Sequence, residues 1–155
     1  MIDRLDRKIL ECLQRDATLS VADVAVHVGL STTPCWKRLK RLEEEGFIKA
    51  KVALLDRAKL GLKVTVFVSV RTNQHDAEWL ESFARAVSSL PEIVELHRMS
   101  GEVDYLMKVV VGDVEGYDRF YKKLIKAVKL TDVSSAFAME QIKYSTELPL
   151  DEAAT

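Results

Sequence analysis

A helix start, an apolar stripe and four cations fall within fourteen residues of this sequence, Leu30-Ser-Thr-Thr-Pro-Cys-Trp-Lys-Arg-Leu-Lys-Arg-Leu-Glu43. Ser31 is placed to cap a helix through its hydroxyl, and Pro34 falls in the first turn, where its missing N–H leaves no hydrogen bond unmade. Helical spacing predicts a buried face of Cys35, Leu39 and Leu42. The other faces carry Lys37, Arg38, Lys40 and Arg41. We therefore expect a helix from near Ser31 that packs on one side and attracts phosphate on another.

Two more helices are predicted ahead of this one. The first covers residues 3–15 and has an apolar face of Leu5, Ile9, Cys12 and Leu13. The second starts at Ser20, which with Asp23 resembles a capping box, and stops at Gly29, which can adopt the left-handed conformation. A helix, a short glycine turn and a capped basic helix together predict a helix-turn-helix, whose last helix enters the major groove of DNA.

The position of each side chain along the basic helix predicts what it contacts on DNA. Near the N-terminal end, after Ser31, we expect base edges to be met by Thr32, Thr33, Trp36 and Lys37. We expect phosphates to be bound by Arg38, Lys40 and Arg41. Trp36 suits a place in the core equally well, and a basic amphipathic helix taken alone is more often a solvated surface. The capped helix and the glycine turn before it favour DNA.

A change in composition marks a domain boundary after this region. Gly46 stops the basic helix after a run of glutamates, and residues 47–55 have the pattern of an extended segment. Residues 56–61 are polar and end in glycine. We predict a DNA-binding domain with a following strand at residues 1–55, a linker at 56–63 and a second domain at 64–155.

The second domain has the pattern of alternating strands and helices. Strands are predicted at residues 64–71, 93–99, 104–111 and 133–144, and helices at 77–89 and 114–128. The order β-α-β-β-α-β predicts a ferredoxin-like fold, in which a four-stranded antiparallel sheet carries both helices on one face. The chain as a whole is therefore predicted to be α+β, with a three-helix helix-turn-helix followed by a ferredoxin-like domain.

The predicted sheet has apolar residues on both faces. In the first strand one face has Val64, Val66, Val68 and Val70, and the other has Phe67. In the last strand one face has Val133, Phe137 and Met139, and the other has Ala136, Ala138 and Ile142. Because the helices cover one face only, we expect a second copy of the chain to bury the other. A two-fold dimer presents two recognition helices to successive major grooves.

The net charge of −1 conceals an uneven distribution. Residues 1–60 carry 12 Lys and Arg against 9 Asp and Glu, whereas residues 61–155 carry 11 against 15. A basic first part and an acidic second part indicate that only the first binds a polyanion, and chance variation in surface charge is the less favoured alternative.

Membrane, redox, metal and catalytic functions find little support in the sequence. No apolar run approaches the roughly 18 residues of a membrane span, and the charged N-terminus does not fit a signal peptide, so we expect a cytoplasmic protein. Cys12 and Cys35 lack metal-site spacing and fit small buried thiols. His27, His75 and His97 are scattered, with no catalytic set or phosphate loop around them. We expect neither an enzyme nor a metal site.

Five segments carry a resemblance to a known family: Leu5-Asp-Arg-Lys-Ile-Leu10, Ser31-Thr-Thr-Pro-Cys-Trp-Lys-Arg-Leu-Lys-Arg-Leu-Glu43, Glu45-Gly-Phe-Ile48, Gly101-Glu-Val-Asp-Tyr-Leu106 and Ser134-Ser-Ala-Phe-Ala-Met-Glu-Gln-Ile-Lys-Tyr144. Along essentially its whole length the chain resembles the Lrp/AsnC, or feast/famine, regulators, and it is most similar to their cysteine-responsive DecR branch. The resemblance implies a cytoplasmic bacterial transcription regulator with a RAM-type second domain. It also implies dimers assembled into octamers and an amino-acid effector, cysteine or another small amino acid, with no other cofactor.

The resemblance further implies that the effector binds at the hairpin between the second and third strands, near an interface between dimers. Here that hairpin comprises Met99, Ser100, Gly101, Glu102, Val103, Asp104 and Tyr105, and Ala136 and Glu140 are expected to complete the pocket. Gly101 lets backbone N–H groups approach a carboxylate, and Asp104 can accept a hydrogen bond from an α-ammonium group. Without the resemblance, a plain hairpin turn with a solvated Asp104 fits equally well.

Two functions would use the same recognition helices. One is an effector-responsive regulator that binds a specific DNA site, and the other is an architectural protein that bends DNA with little sequence preference. The ratio of affinities for a specific site and for random DNA, at fixed salt, separates them.

Overall fold

The computed structural model describes residues 2–73 and 76–152, which form two compact units. The first unit runs to Leu54 and includes the segment from Lys143 onward, and the second unit spans Leu55–Ile142. The sequence had suggested one domain from residue 64 to the C-terminus. The segment from Lys143 onward groups with the first unit instead, because Gln14 and Arg15 bond to its residues Leu148 and Glu147.

Three helices form the first unit, and their ends follow the predicted signals. They are α1 (Arg4–Arg15), α2 (Val21–Val28) and α3 (Thr32–Glu44). The capping box of α2 is confirmed, since the Asp23 N–H donates to Ser20 Oγ at 3.1 Å and the Ser20 N–H donates to Asp23 Oδ2 at 3.2 Å. Gly29 follows with a φ of 73° and closes the helix in the left-handed conformation.

The predicted apolar faces of these helices meet in one core. Its buried members are Ile2, Ile9, Leu13, Val24, Ala25, Val28, Cys35, Leu39 and Leu42. All three apolar residues predicted for α3 are in that set, so burial fixes which side of α3 remains available at the surface.

Two local predictions for the first unit were wrong. Ser31 occupies the N-cap position of α3, but its hydroxyl makes no capping hydrogen bond. The strand expected within residues 47–55 is not formed, and Val52, Leu54 and Leu55 are largely exposed there. A strand requires a neighbouring strand to hydrogen-bond with its backbone N–H and C=O groups. The four strands in the described part of the chain pair only with one another.

The second unit confirms the ferredoxin-like order. Its elements, in chain order, are β1 (Val64–Arg71), α4 (Ala77–Ser88), β2 (Ile93–Arg98), β3 (Tyr105–Val111), α5 (Val114–Ala127) and β4 (Asp132–Phe137). The strands form one antiparallel sheet in the order β2-β3-β1-β4. Phe83 of α4 and Phe120 of α5 are fully buried in the same core as Val66, Val68 and Val70, so both helices cover one face.

The last strand is shorter than predicted. Pairing with β1 ends where the Ala138 N–H donates to the Thr65 carbonyl at 2.9 Å, and since β1 begins at Val64, it has no residue opposite the positions after Met139. The apolar alternation that continues to residue 144 therefore belongs to an unpaired segment, in which Met139 and Ile142 are more than nine-tenths exposed. A short 3-10 helix, Leu150–Glu152, follows.

The sheet face opposite the helices is mixed rather than apolar. The cross-strand pairs place Phe67 beside Ala136 and Lys108, and Lys108 bonds to Glu95 at 2.7 Å. Phe137 lies on the covered face, with its ring edge-on to that of Tyr117 at 5.1 Å. The prediction of two apolar faces was therefore wrong in part. The alternation of valines in β1 identifies its buried side. The polarity of the uncovered face, however, depends mainly on residues that the other strands contribute, such as Lys108 and Glu95.

Candidate nucleic-acid interface and ligand site

One face of α3 carries the side chains predicted to contact DNA. Ser31, Thr32, Thr33, Trp36, Lys37 and Lys40 are all exposed, on the side away from the buried Cys35, Leu39 and Leu42. Trp36 is 49% exposed, so the alternative that it is a core aromatic is wrong. The Lys40 ammonium lies 5.3 Å from the centroid of the Trp36 ring, within reach of a cation–π interaction. We call this exposed set the α3 outer face.

The two lysines of the α3 outer face have cations available for a ligand. Within residues 2–73 and 76–152, Lys37 takes part in no ion pair. Lys40 approaches Glu44 at 3.6 Å, but both side chains are more than half exposed, so water and salt screen that pair. Each lysine can therefore be redirected to a phosphate or a base at little cost.

The two arginines of α3 lie on a different side, where they bind carboxylates of α1. Arg38 Nη1 donates to Asp3 Oδ2 at 2.6 Å and to Asp6 Oδ1 at 2.9 Å, and Arg41 Nη2 donates to Asp6 Oδ2 at 2.5 Å. The Asp6 side chain is only 1% exposed, whereas the Arg38 and Arg41 side chains are 29% and 38% exposed. Their charges are balanced inside the unit, so contact between these arginines and phosphates stays a prediction.

The electrostatics of this cluster, Asp3, Asp6, Arg38 and Arg41, favour its charged form. Burial by itself raises the pKa of Asp6, but the Asp3 N–H and the guanidinium groups of Arg41 and Arg38 outweigh it and hold the pKa below its ordinary value. The pKa of Asp3 is also lowered, by the Asp6 N–H and by Arg38. Both carboxylates are therefore ionised at neutral pH and hold α3 against α1.

The sequence prediction did not identify Asp6 as a partner of α3. Asp3 and Asp6 also form a capping box at the start of α1, with the Asp6 N–H donating to Asp3 Oδ1 at 2.9 Å. The missed signal is their spacing of three, which matches the spacing of Arg38 and Arg41 and allows two rows of opposite charge to meet.

The hairpin between β2 and β3 is ordered by backbone and carboxylate bonds. The Met99 N–H donates to the Asp104 carbonyl at 2.8 Å, and Gly101 has a φ of 110°, which favours glycine. Asp104 Oδ2 accepts from the Thr72 N–H at 2.8 Å, and the Asp104 N–H donates to the Val70 carbonyl at 3.0 Å. Asp104 thus joins the hairpin to the end of β1 and is not simply a solvated turn residue.

The other hairpin residues divide between surface and core. Met99, Ser100 and Glu102 are exposed, and Glu102 Oε2 lies 3.4 Å from Arg71 Nη2. Val103 is half-buried. Tyr105 is buried, and its ring centroid lies 4.7 Å from that of Phe83. Tyr105 therefore anchors the hairpin to the core, and its ring is turned toward the helices.

Ala136 and Glu140 are not brought to this hairpin within one chain. Ala136 pairs with Phe67, and Phe67 pairs with Lys108, so Ala136 stands three residues along the sheet from Tyr105. Glu140 lies beyond Ala138, which bonds at the opposite end of β1. A pocket that used all of these predicted residues would need the hairpin of one copy and the last strand of another.

Thiol, metal and membrane features are few in the described part of the chain. Cys35 is buried, which raises the pKa of its thiol, and Cys12 is partly buried; neither forms a disulfide. No cluster of three or more potential metal ligands occurs among residues 2–73 and 76–152, and His75 lies outside them. Over the same residues, every helix is too short or too polar to cross a bilayer.

Two family models match the chain. The winged helix-turn-helix DNA-binding model covers residues 2–49, and the Lrp/AsnC ligand binding domain model covers residues 65–148, which is more than half of the chain. The chain belongs to the Lrp/AsnC family. In this Lrp/AsnC protein the first unit is accordingly a DNA-binding domain, with α3 as its recognition helix, and the second is the family's ligand-binding domain.

Full-length relatives agree with this assignment. The chain is 53% identical over 152 residues to the DNA-binding transcriptional activator DecR of Escherichia coli K12, covering 97% of this chain and 100% of the relative. The predicted similarity to the DecR branch is confirmed. A crystal structure of an AsnC family transcriptional regulator from Agrobacterium tumefaciens superposes with a TM-score of 0.94 at 63% identity, over 97% of this chain and 98% of that one.

A further solved relative contains a bound amino acid. It is a transcriptional regulator from Neisseria meningitidis in complex with L-Met, which superposes with a TM-score of 0.92 at 32% identity over 97% of this chain and 98% of that one. These relatives span the chain almost completely, so the two units occur together in them.

Proposed function

We propose that this Lrp/AsnC protein is a cytoplasmic transcription regulator, not an enzyme, that binds a specific DNA site in response to a small amino acid. The observation that carries the proposal is the α3 outer face, where an exposed Trp36 and two available lysines stand on a helix-turn-helix joined to a ligand-binding unit. An architectural protein needs only cations for phosphates. Exposed side chains at the N-terminal end of α3 suit base contacts as well.

The proposed DNA contacts follow from exposure and charge. Thr32, Thr33, Trp36 and Lys37 meet base edges, with Ser31 beside them. Lys40 binds a phosphate, because its ion pair with Glu44 is exposed. We assign Arg38 and Arg41 to holding α3 in position, because their guanidinium groups already bond to α1 carboxylates. This assignment revises the expectation that both arginines contact phosphate.

The proposed effector site is the hairpin of residues 99–105. A zwitterion fits there, with its carboxylate near the backbone of Gly101 and its ammonium near Asp104, one of whose oxygens bonds to the Thr72 N–H. Ala136 and Glu140 would come from a second copy, since one chain keeps them apart from the hairpin. The relative bound to L-Met supports an amino acid. Cysteine is the first candidate, because of the similarity to DecR.

Assembly links the two sites in this proposal. A homodimer places two α3 helices on one DNA site, and dimers join into an octamer with effectors between them. An effector that binds one assembly better than another shifts the population toward it and so changes DNA affinity.

Two measurements test the proposed function. A thermal-shift screen of the twenty amino acids should identify the effector, because a ligand at a hundred times its Kd adds about 2.7 kcal/mol to stability. A DNA site selected from a randomised pool should then bind at least a thousandfold more tightly than random DNA at the same salt. A ratio near one, or no stabilising amino acid, would contradict the proposal.

A further inference from the structure

The segment of residues 146–150, which we call the strap, is bound to the C-terminal end of α1. Gln14 holds its backbone in two directions, since Gln14 Nε2 donates to the Leu148 carbonyl at 3.2 Å and the Leu148 N–H donates to Gln14 Oε1 at 2.9 Å. Arg15 Nε bonds to Glu147 Oε2 at 3.0 Å. A primary amide that satisfies both groups of one residue recognises an extended backbone, so the contact is specific in register.

The strap forms one side of a largely apolar groove in the first unit. The groove has a volume of about 430 Å³, and its apolar lining includes Leu10, Leu13, Phe47, Ile48 and Leu150. Leu148 is 68% exposed, and the Arg15 and Glu147 side chains are 67% and 45% exposed. Exposed ion pairs and hydrogen bonds compete with water, so the strap can detach without disrupting the core beneath it.

Helix α1 contacts both the strap and the recognition helix. Its last turn holds the strap through Gln14 and Arg15, and its first turn holds α3 through Asp3 and Asp6. A helix of twelve residues is about 18 Å long, so the two sets of contacts lie at opposite ends of one continuous element. A force on one end of α1 is therefore felt at the carboxylates that position Arg38 and Arg41.

The second unit is connected to the first at two places in the chain, before Leu55 and after Ile142. The later connection leads into the strap, and it follows the segment after β4 that contains Glu140, a residue of the proposed effector site. We propose that the strap relays the state of the ligand-binding unit to α3 through α1, so that effector binding near the last strand tightens or releases the strap and alters the hold on the recognition helix. The inference rests on the proposed amino-acid response.

The test uses a strap-release variant of the full chain, Gln14→Glu with Glu147→Gln. The first change replaces the donor to the Leu148 carbonyl with a repelling oxygen, and the second removes the carboxylate that Arg15 binds. Together they keep the net charge, so the general attraction to DNA is unaltered. Operator affinity is measured with and without the amino acid identified by the screen, and effector binding is measured by calorimetry. Amide exchange reports whether the last turn of α1 loses protection.

The strap-release variant should bind the effector within about threefold of wild type, yet its DNA affinity should stay at one value whether or not the effector is present. A control for losing a nearby carboxylate is Asp151→Asn, whose carboxylate forms no ion pair in the described part of the chain, and this variant should keep the effector-induced change in DNA affinity. Restoring the ion pair in reverse, with Arg15→Glu and Glu147→Arg, should recover the response that Arg15→Glu alone loses.

Failure of the relay and failure of the proposed amino-acid response give different results. A full effector response in the strap-release variant, with α1 exchange raised, would overturn the relay while leaving the proposed function intact. Unchanged α1 exchange would show that the strap does not hold α1, which also overturns the relay. A wild-type protein whose DNA affinity ignores every amino acid would overturn the proposed function, and the relay with it.

Discussion

Asp6 of α1 accepts a hydrogen bond from Arg41 of α3 at 2.5 Å, and the Asp6 side chain is almost completely buried. The recognition helix is therefore fixed to its supporting helix by charge as well as by apolar packing. A helix that reads base edges must be held at a defined angle and depth, because each specific contact depends on donor–acceptor geometry. The same bonds occupy two cations of α3, Arg38 and Arg41, that would otherwise be available to phosphate.

Replacing Asp6 with Asn should weaken the hold on α3. Asn keeps the size of the side chain but leaves Arg38 and Arg41 without their shared carboxylate. Removing one partner of a fully buried pair costs about 3–5 kcal/mol, and we expect about 2 kcal/mol here because both guanidinium groups retain contact with water. Amide exchange measures the loss in α3.

The second unit and Asp3 supply the controls for that variant. Exchange in β3 should stay at the wild-type rate, because Asp6 has no part in that core. Asp3→Asn should cost less than Asp6→Asn, since Asp3 is 52% exposed and Asn can still cap α1. Equal protection of α3 in wild type and Asp6→Asn would show that packing alone holds the helix.

The lowered pKa values of Asp3 and Asp6 predict acid sensitivity. A carboxyl group with a lower pKa in the folded state binds fewer protons than in the unfolded state, so its contribution is full above the ordinary value of 3.8 and is lost as pH falls through the folded pKa. Urea titrations should thus give a constant stability difference between wild type and Asp6→Asn near neutral pH, and a shrinking one below about pH 4. A difference that grows in acid would contradict this sign.

Most of the three-helix unit could be predicted because its signals are local. Ser20 and Asp23 are three residues apart, Gly29 ends the helix they begin, and the apolar stripe of α3 repeats within two turns. Each of these features depends on residues close together in the sequence, and for such residues the spacing alone predicts which side chains are in contact. The alternation of valines in β1 is of the same kind, and it correctly identified the buried face of that strand.

The features that were missed depend on contacts between distant segments. Arg38 looked like a phosphate ligand because its partner Asp6 is 32 residues away. The last strand ends at Phe137 because β1 begins at Val64, although the apolar alternation runs on. Residues 146–150 pack on α1, more than 130 positions away, through a glutamine with no distinctive sequence signal.

Lys40 and Arg38 offer a matched test of which cations meet phosphate. Each variant to Ala removes one positive charge from α3. Lys40→Ala should flatten the dependence of log affinity on log salt by about one unit per helix, or about two per dimer, because Lys40 is available to replace a counterion. Arg38→Ala should leave the slope nearly unchanged, because its charge is balanced by Asp3 and Asp6. Equal flattening by both variants would return Arg38 to the phosphate contacts.

Trp36→Ala should reduce specificity without reducing stability. The indole is half exposed, so its loss opens no cavity in the core, but it removes an apolar surface from the part of α3 that we propose meets the bases. We expect the affinity ratio between selected and random DNA to fall about tenfold, since a base contact is worth about 1–3 kcal/mol. Val26→Ala, at an 80% exposed position of α2, is the control and should leave the ratio unchanged. A retained ratio in Trp36→Ala would place the bases elsewhere.

Asp104→Asn distinguishes the structural role of the Asp104 carboxylate from its proposed role in binding the effector. The remaining amide oxygen can still accept the Thr72 N–H, so the hairpin should keep its geometry and the stability should change by less than about 0.5 kcal/mol. The charge that would bind an α-ammonium group is lost, and we expect the effector-induced change in DNA affinity to disappear while DNA binding without effector is retained. Asp118→Asn, on the exposed surface of α5, is the matched control. If Asp104→Asn responded like wild type, the ammonium would have to be bound by another residue, and Glu140 of a second copy would be the next to test.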